Sequence, residues 1–320
     1  MGEILDALRR ADEERERTPR VVRRESAPSF PPLPLRDSEA AFSADATEPR
    51  FEGAPARAAR SGPVQTSRPV AISRDKTDGW TARAVLMEGS AGPVAEAYRH
   101  FAVAVRSRLA ERGARSLVVT SALRAEGKTT TSCNLALAYA SIAGGGRVAL
   151  VDLDLRRPAV GLVLGVAPTT GIESVLGGAA SLDAARLATD VESLDLYLPA
   201  GSTRHAHGIL SGAALAAAVR DLERTYDIVI IDSPPSLLVP DAALILAHAG
   251  AYIAVVRTGV TRLAALRALL KRLPREKFLG SFLTEAPPTR HLADYGYYHR
   301  AEEDEGEGRK RRTPWKKQMK

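Results

Sequence analysis

Three consecutive residues near the middle of the chain have the types and the order that bind a nucleoside triphosphate. Gly127, Lys128 and Thr129 follow the apolar run 116–120 and precede a helical pattern. Backbone N–H groups at a helix N-terminus bind phosphate oxygens, a lysine neutralises the β- and γ-phosphates, and a hydroxyl binds Mg²⁺. The sequence therefore predicts a phosphate-binding loop with these nucleotide-binding residues: Glu126, Gly127, Lys128, Thr129 and Thr130.

The predicted loop departs from the usual G-x-x-x-x-G-K-[ST] pattern, because Ala122 stands where the first glycine is expected. A Gly-Lys-Thr tripeptide also occurs by chance, so the tripeptide alone is weak evidence. The assignment depends on its position between a predicted strand and a predicted helix.

Carboxylates stand at the ends of two further apolar runs. Asp152 and Asp154 follow the run 148–151, and Asp232 follows the run 228–231. The carboxyl ends of parallel strands meet at one edge of a sheet, where ligands bind, so all three can lie beside the phosphate loop. There they can hold a metal ion or a reacting hydroxyl group. The alternative for the first two is that they only cap the next helix.

Positioning these residues requires several strands that end at the same edge. Apolar, β-branched runs alternate with helical stretches in the second half of the chain, at 116–120, 148–151, 194–198, 228–231, 252–256 and 279–283. This alternation predicts an α/β domain of the P-loop NTPase type, with a mostly parallel sheet sandwiched by helices.

Composition divides the chain into four parts. Residues 1–17 have a narrow apolar stripe at helical spacing, which predicts an amphipathic helix suited to docking on a partner. Residues 18–92 are rich in Pro, Ser, Arg and Ala without periodicity, which predicts a disordered linker. We place the ATP-binding domain at 93–286 and a flexible tail with tyrosines and charge blocks at 287–320.

Charge and cysteine content narrow the classes of function. The formal net charge is +7, but much of the excess lies in residues 309–320, so we expect a solvated tail and no specific nucleic-acid partner. The single cysteine excludes an intramolecular disulfide framework and fits a reducing cytoplasm. The first 20 residues lack the apolar core of a signal peptide, so we expect a cytoplasmic protein that reaches a membrane only through a partner.

Four segments together resemble the bacterial tyrosine kinases of capsule and exopolysaccharide systems. They are the Glu-Gly-Lys-Thr-Thr loop at 126–130, the Asp-x-Asp-Leu-Arg-x-Pro motif at 152–158, the Ile-Ile-Asp-x-Pro-Pro motif at 230–235 and the tyrosine cluster at 295–298. The resemblance implies an enzyme, a protein-tyrosine autokinase that uses ATP and Mg²⁺. It would phosphorylate tail tyrosines of neighbouring subunits and regulate polysaccharide polymerisation and export.

The resemblance also implies a role for each matching residue. Lys128 would hold the phosphates and act in catalysis with Asp152 and Asp154, which would orient the metal and the incoming phenol. The residues expected to organise Mg²⁺ are Thr129, Asp152 and Asp232. The expected phosphate acceptors are Tyr295, Tyr297 and Tyr298.

Partners are implied in the same way. The family likeness implies activation by a membrane-spanning chain-length regulator on a separate chain, assembly into a homo-oligomer, other protein substrates and a tyrosine phosphatase. Two positions differ from the family pattern. Ala102 stands at the last position of its Glu-x-x-Arg-x-x-Arg oligomerisation motif, and Thr284 stands where relatives have an asparagine near the adenine.

Two other readings of the nucleotide site remain open on sequence alone. One is an ATPase switch of the partition or septum-positioning type, although Leu123 stands where those proteins have a second lysine. The other is a non-catalytic ATP-binding regulator of a polysaccharide assembly complex.

Overall fold

The computed structural model of the protein describes residues 69–75, 79, 81–86, 92–142 and 146–286. Its strands are β1 (Ser116–Ser121), β2 (Val148–Asp152), β3 (Leu187–Ala188), β4 (Leu194–Tyr197), β5 (Ile228–Asp232), β6 (Ala251–Arg257) and β7 (Phe278–Thr284). Its α-helices are α1 (Pro93–Arg112), α2 (Lys128–Ser141), α3 (Val160–Leu164), α4 (Ile172–Leu176), α5 (Leu182–Ala185), α6 (Ala206–Leu210), α7 (Ala213–Thr225), α8 (Asp241–His248) and α9 (Leu263–Arg272). Short 3₁₀ helices lie at Thr81–Arg83 and Arg275–Lys277.

The strands form one sheet in the order β3-β4-β2-β5-β1-β6-β7. Every neighbouring pair is parallel except β3 with β4, which confirms the predicted mostly parallel sheet. The six predicted runs match β1, β2 and β4 to β7 to within one residue at each end. The central strands β1, β2 and β5 are buried along their whole length, which is why they consist of unbroken apolar runs.

Helix α1 covers part of the core. It begins at Pro93, where the missing N–H costs nothing, and ends at Arg112, followed by the C-cap Gly113 in a left-handed conformation with φ of 61°. Ala95, Tyr98 and Ala102 lie on its buried face. Because Ala102 is fully buried, this position packs into the domain and offers nothing to an oligomer contact.

The predicted linker 18–92 is wrong at its C-terminal end, because residues 69–86 include ordered parts of the domain. Val70 forms a parallel bridge with Thr189, and Ile72 is 1% exposed within the same hydrophobic core as α1. Ala84 and Leu86 are buried in that core too. These few apolar residues stand in a polar stretch too short to show a period, so sequence pattern does not reveal their burial.

Several predictions fall outside the described residues: the helix at 1–17, most of the linker and the tail at 287–320 with Tyr295, Tyr297 and Tyr298. Within the described part of the chain, no helix has both the length and the apolar character needed to cross a membrane.

Candidate active site

The phosphate-binding loop connects β1 to α2, and its geometry requires a glycine immediately before the helix. Gly127 is the N-cap of α2 with φ of 92°, a left-handed conformation. A Cβ atom at this position would lie 3.0 Å from the Thr284 methyl group. Residues 128–130 form the first turn of α2, where backbone N–H groups have no partner within the helix. The loop therefore presents the donors and the positive helix end that bind phosphate.

The side chain of Glu126 stabilises the loop through hydrogen bonds. We predicted that it binds the nucleotide, but its side chain is buried and 2% of the residue is exposed. Its carboxylate accepts a 2.7 Å hydrogen bond from the Leu123 N–H and another from the Thr261 hydroxyl. Only its backbone remains available to a ligand. The loop is thus fixed to the segment that follows β6.

Lys128, Asp154 and Asp232 form a nearly buried cluster at the base of the loop. The Lys128 Nζ lies 2.9 Å from Asp154 Oδ2 and 3.7 Å from Asp232 Oδ2. The Thr129 hydroxyl donates to Asp232 Oδ2 at 2.7 Å, and the Ser132 hydroxyl donates to its Oδ1 at 2.9 Å. Residues that are 26 and 104 positions from Lys128 along the chain thus meet at one point.

The electrostatics of this cluster favour a lysine that stays charged. Burial lowers the pKa of the Lys128 ammonium group, but Asp232 and Asp154 outweigh burial and raise the pKa above its ordinary value. Burial, together with the charge of neighbouring Asp232, raises the pKa of Asp152. Burial likewise raises the pKa of Asp232, although Lys128 and the Thr129 hydroxyl oppose the shift. Buried carboxylates held this close need a cation.

Asp152 has a different environment from Asp154. Its Oδ1 accepts the Asp154 N–H at 3.0 Å, and its Oδ2 accepts the N–H groups of Ala159 and Val160 at 3.0 and 3.1 Å. Val160 begins α3, so Asp152 does serve the start of the next helix. Asp154 instead faces Lys128. The assignment of Asp152 to the metal stays a prediction.

The oxygen donors at the base of the loop fit Mg²⁺. Among the described residues, no group of three or more His, Cys, Asp or Glu side chains could hold a metal ion by itself. Mg²⁺ is commonly bound by a hydroxyl or one or two carboxylates together with phosphates and water. The Thr129 hydroxyl beside the Asp232 carboxylate supplies that kind of partial ligand set.

A cleft of about 400 Å³ lies over the loop. Its apolar wall includes Pro234, Pro235 and Leu238, which follow β5. Arginines line other parts of it, and Asp154 is the one acidic residue among the described residues that line it. The cleft therefore suits a ligand that combines an apolar portion with several negative charges.

Comparison with known proteins identifies the relatives of this chain. Residues 125–277 match a protein-family model described as an AAA domain. The tyrosine-protein kinase YwqD of Bacillus subtilis is 30% identical over 205 residues, which make up 63% of this chain and 85% of YwqD. This chain belongs to the family of bacterial tyrosine-protein kinases. The succinoglycan biosynthesis transport protein ExoP of Rhizobium meliloti is also 30% identical, over 63% of this chain but only 26% of ExoP.

Solved structures agree with the family assignment. The chimerical protein CapA2B2 superposes with a TM-score of 0.59 at 25% identity, over 69% of this chain and 95% of the other. The BceF tyrosine kinase domain superposes with a TM-score of 0.54 at 28% identity, over 59% of this chain and 76% of the other. The P-loop fold and the kinase family predicted from the motifs are both confirmed.

In this kinase, an ion pair joins the 152–158 motif to α8. The guanidinium group of Arg156 donates to both carboxylate oxygens of Asp241, at 2.7 and 3.4 Å. Asp241 is fully buried at the start of α8, and His207 lies 3.5 Å from it. The motif that carries Asp152 and Asp154 is thereby fixed to α8.

Several residues around the kinase loop have supporting contacts that the sequence did not predict. Thr284, which we related to the adenine, donates to the Glu126 carbonyl oxygen at 3.0 Å and so lies beneath the loop. The Arg257 guanidinium group donates to the Ala125 carbonyl oxygen at 3.4 Å. Asn134 on α2 binds the segment 83–86 through its side-chain amide. These residues are distant in sequence from the groups they contact. Among them, only Thr284 was pointed out by the family resemblance.

Proposed function

We propose that the chain is an ATP- and Mg²⁺-dependent protein-tyrosine autokinase that phosphorylates Tyr295, Tyr297 and Tyr298 in trans. The observation that carries the proposal is the Lys128 ammonium group between two carboxylates at the N-terminus of α2. A cation, helix N–H groups and acidic oxygens at one point are what phosphoryl transfer requires.

Each residue at the base of the cleft has a role in binding. The N–H groups of residues 127–130 and the Lys128 ammonium group bind the phosphates of ATP. Bound Mg²⁺ supplies charge neutralisation of the triphosphate, and the Thr129 hydroxyl and Asp232 would hold it, with Asp152 beside them. The hydrogen bonds of the Glu126 carboxylate keep the loop in its binding conformation, so the loop needs little rearrangement when ATP binds.

Asp154 is the residue best placed to orient an incoming tyrosine. In the transfer, the phenol oxygen forms a bond to the γ-phosphorus, the bond to the leaving ADP oxygen breaks, and the phenol proton passes to a carboxylate. Asp154 is 5% exposed at the wall of the cleft, and only its Oδ1 accepts a backbone N–H group, that of Arg157 at 3.2 Å. Both oxygens of Asp152, in contrast, accept backbone N–H groups. As the ammonium group of Lys128 turns to the phosphates, the Asp154 carboxylate becomes available to the phenol.

The relatives support a cellular process and a set of partners for this reaction. ExoP is named as a succinoglycan biosynthesis transport protein, which supports a role in exopolysaccharide or capsule polymerisation and export. A membrane-spanning chain-length regulator on a separate chain would recruit this cytoplasmic kinase to the inner face of the cell membrane and activate it. The proposal includes a homo-oligomer, other tyrosine substrates and an opposing tyrosine phosphatase, and no specific nucleic acid.

The test is to incubate the purified chain with MgATP, with and without the cytoplasmic segment of a candidate membrane partner, and to map phosphotyrosine by mass spectrometry. We expect phosphate on at least one of the three tail tyrosines in the wild type and none in Lys128→Met. A triple Tyr→Phe variant of the tail should lose the label. If that variant is labelled as strongly as the wild type, the tail is not the acceptor.

Other results of the same experiment separate the remaining readings. ATP hydrolysis without any phosphotyrosine, even with the partner present, would favour an ATPase switch. Nucleotide binding without hydrolysis or transfer would favour a regulatory module.

A further inference from the structure

Three arginines at the mouth of the cleft have no role in the proposed phosphoryl transfer. We call Arg83, Arg124 and Arg157 the basic rim. All three are exposed and line the same cleft as Lys128. They come from three separate parts of the chain: the segment before α1, the phosphate loop and the loop after β2.

Two members of the basic rim, unlike other cations of the cleft, have no ion-pair partner among the described residues. Lys128 is paired with Asp154, and Arg156 is paired with Asp241. Arg124 and Arg157 form no ion pair with any residue in the part of the chain that the structure describes. Their side chains line a cleft in which Asp154 is the one carboxylate among the described lining residues, so the rim attracts negatively charged ligands.

The tail sequence contains a complementary segment next to the proposed acceptors. Five carboxylates occur within the six residues 302–307, which we call the acidic block. The block begins four residues after Tyr298, a distance of about 14 Å in an extended chain. When Tyr298 occupies the cleft, the acidic block therefore begins within about 14 Å of it.

The place where the tail begins also favours this arrangement. β7 runs parallel to β6 and ends at Thr284, whose hydroxyl contacts the phosphate loop. Glu285 is held there by Arg257 at 2.8 Å. In an assembly of several copies, each tail thus starts at the edge of the sheet that carries the cleft.

We propose that the basic rim binds the acidic block of a second copy of this chain and so selects tyrosines that are followed by clustered carboxylates. This inference rests on the proposed autokinase function and names its substrate class. The same rim repels the basic residues from Arg309 onward, which restricts the register in which the tail can enter. Other protein substrates would need the same acidic context after the tyrosine.

The test uses two full-length variants, so that donor and acceptor sites can be changed separately. The donor carries Tyr295→Phe, Tyr297→Phe and Tyr298→Phe and retains its cleft. The acceptor carries Lys128→Met and retains its tail, and an Asp154→Asn acceptor replaces it if Lys128→Met does not fold. The initial rate of acceptor labelling is measured below saturation.

The donor is then given Arg124→Ala and Arg157→Ala. In the neutralised acceptor, every Glu of the acidic block is changed to Gln and its Asp to Asn. We expect the donor change to lower labelling of the normal acceptor about tenfold and to change labelling of the neutralised acceptor less than about twofold. The matched control donor carries Arg220→Ala and Arg267→Ala, two exposed arginines that do not line the cleft, and should label at the unchanged rate. Added salt should reduce the difference between the two acceptors.

Three results would overturn the inference. Equal losses for both acceptors would show that the rim does not recognise the acidic block. A weakening of ATP affinity in the rim variant large enough to explain the lost labelling would assign the arginines to the nucleotide. No labelling by the unchanged donor, with ATP still bound, would contradict transfer in trans itself, and this outcome distinguishes failure of the proposed function from failure of the rim.

Discussion

Asp154 accepts a hydrogen bond from the Lys128 ammonium group across 2.9 Å, in a pair whose side chains are only 7% and 13% exposed. The lysine that should bind phosphate is therefore already engaged by a carboxylate. If the proposed function holds, ATP competes with Asp154 for Lys128, and this exchange frees a carboxylate next to the transferred phosphate. We therefore expect nucleotide binding and the release of Asp154 to be coupled.

The first prediction tests this exchange with Asp154→Asn, which keeps the shape of the side chain and removes its charge. We expect a fluorescent ADP analogue to bind about as tightly as to the wild type or several-fold more tightly, because Lys128 is released. Tyrosine labelling should fall by about 100-fold or more, since proton transfer commonly contributes that much. Lys128→Met should instead lose ADP affinity. A large loss of ADP affinity in Asp154→Asn would contradict the exchange.

The second prediction concerns backbone strain in the phosphate loop. Ala125 has φ of 60°, a left-handed conformation that favours glycine. We expect Ala125→Gly to raise the free energy of unfolding by about 0.5 kcal/mol, because relief of strain of about 1 kcal/mol exceeds the added entropy of the unfolded chain. Urea denaturation monitored by circular dichroism measures the change.

A matched control for this prediction is the same substitution inside a regular helix. Ala217 is exposed in the middle of α7. Ala217→Gly should lower the free energy of unfolding by about 1 kcal/mol. If both glycine variants are destabilised to the same extent, Ala125 is not strained in solution.

The third prediction concerns the attachment of segment 81–86 to the nucleotide site. Asn134 is fully buried on α2, and its Oδ1 accepts the N–H groups of Val85 and Leu86 at 2.8 and 3.2 Å. Its Nδ2 donates to the carbonyl oxygens of Arg83 and Thr130 at 2.8 and 2.9 Å. Asn134→Ala leaves these backbone groups without their partner, and each unsatisfied group costs about 1 to 3 kcal/mol.

We expect the segment to detach in Asn134→Ala while the sheet stays folded. Limited trypsin digestion should then cut after Arg83 at least about tenfold faster than in the wild type, since a shift of about 1.4 kcal/mol changes a local opening equilibrium tenfold. Ser141→Ala, at the exposed end of the same helix, should not change the rate. Unchanged cleavage in Asn134→Ala would show that the segment is held by its apolar residues alone.

The sequence predicted the sheet well and the connections around the site poorly, for a physical reason. Buried parallel strands consist of contiguous apolar residues, so β1, β2 and β5 can be read from local sequence, and the Asp residues at their ends mark the ligand edge. The amide of Asn134 and the hydroxyl of Thr284 act on backbone groups far along the chain. No local pattern encodes such a contact.

The last prediction tests the ion pair between Arg156 and Asp241. Arg156→Ala leaves a buried carboxylate without its bidentate partner. Because the Arg156 side chain is 34% exposed, the free energy of unfolding should fall by about 2 kcal/mol, less than for a fully buried pair. In Arg156→Ala with Asp241→Asn, the unpaired charge is absent and the loss should be smaller than the sum of the two single losses. Urea denaturation of the four proteins in this double-mutant cycle gives the coupling energy, which we expect to exceed about 1 kcal/mol. Additive losses would mean that the pair contributes nothing beyond its separate contacts, and that α8 is held to the loop after β2 by packing.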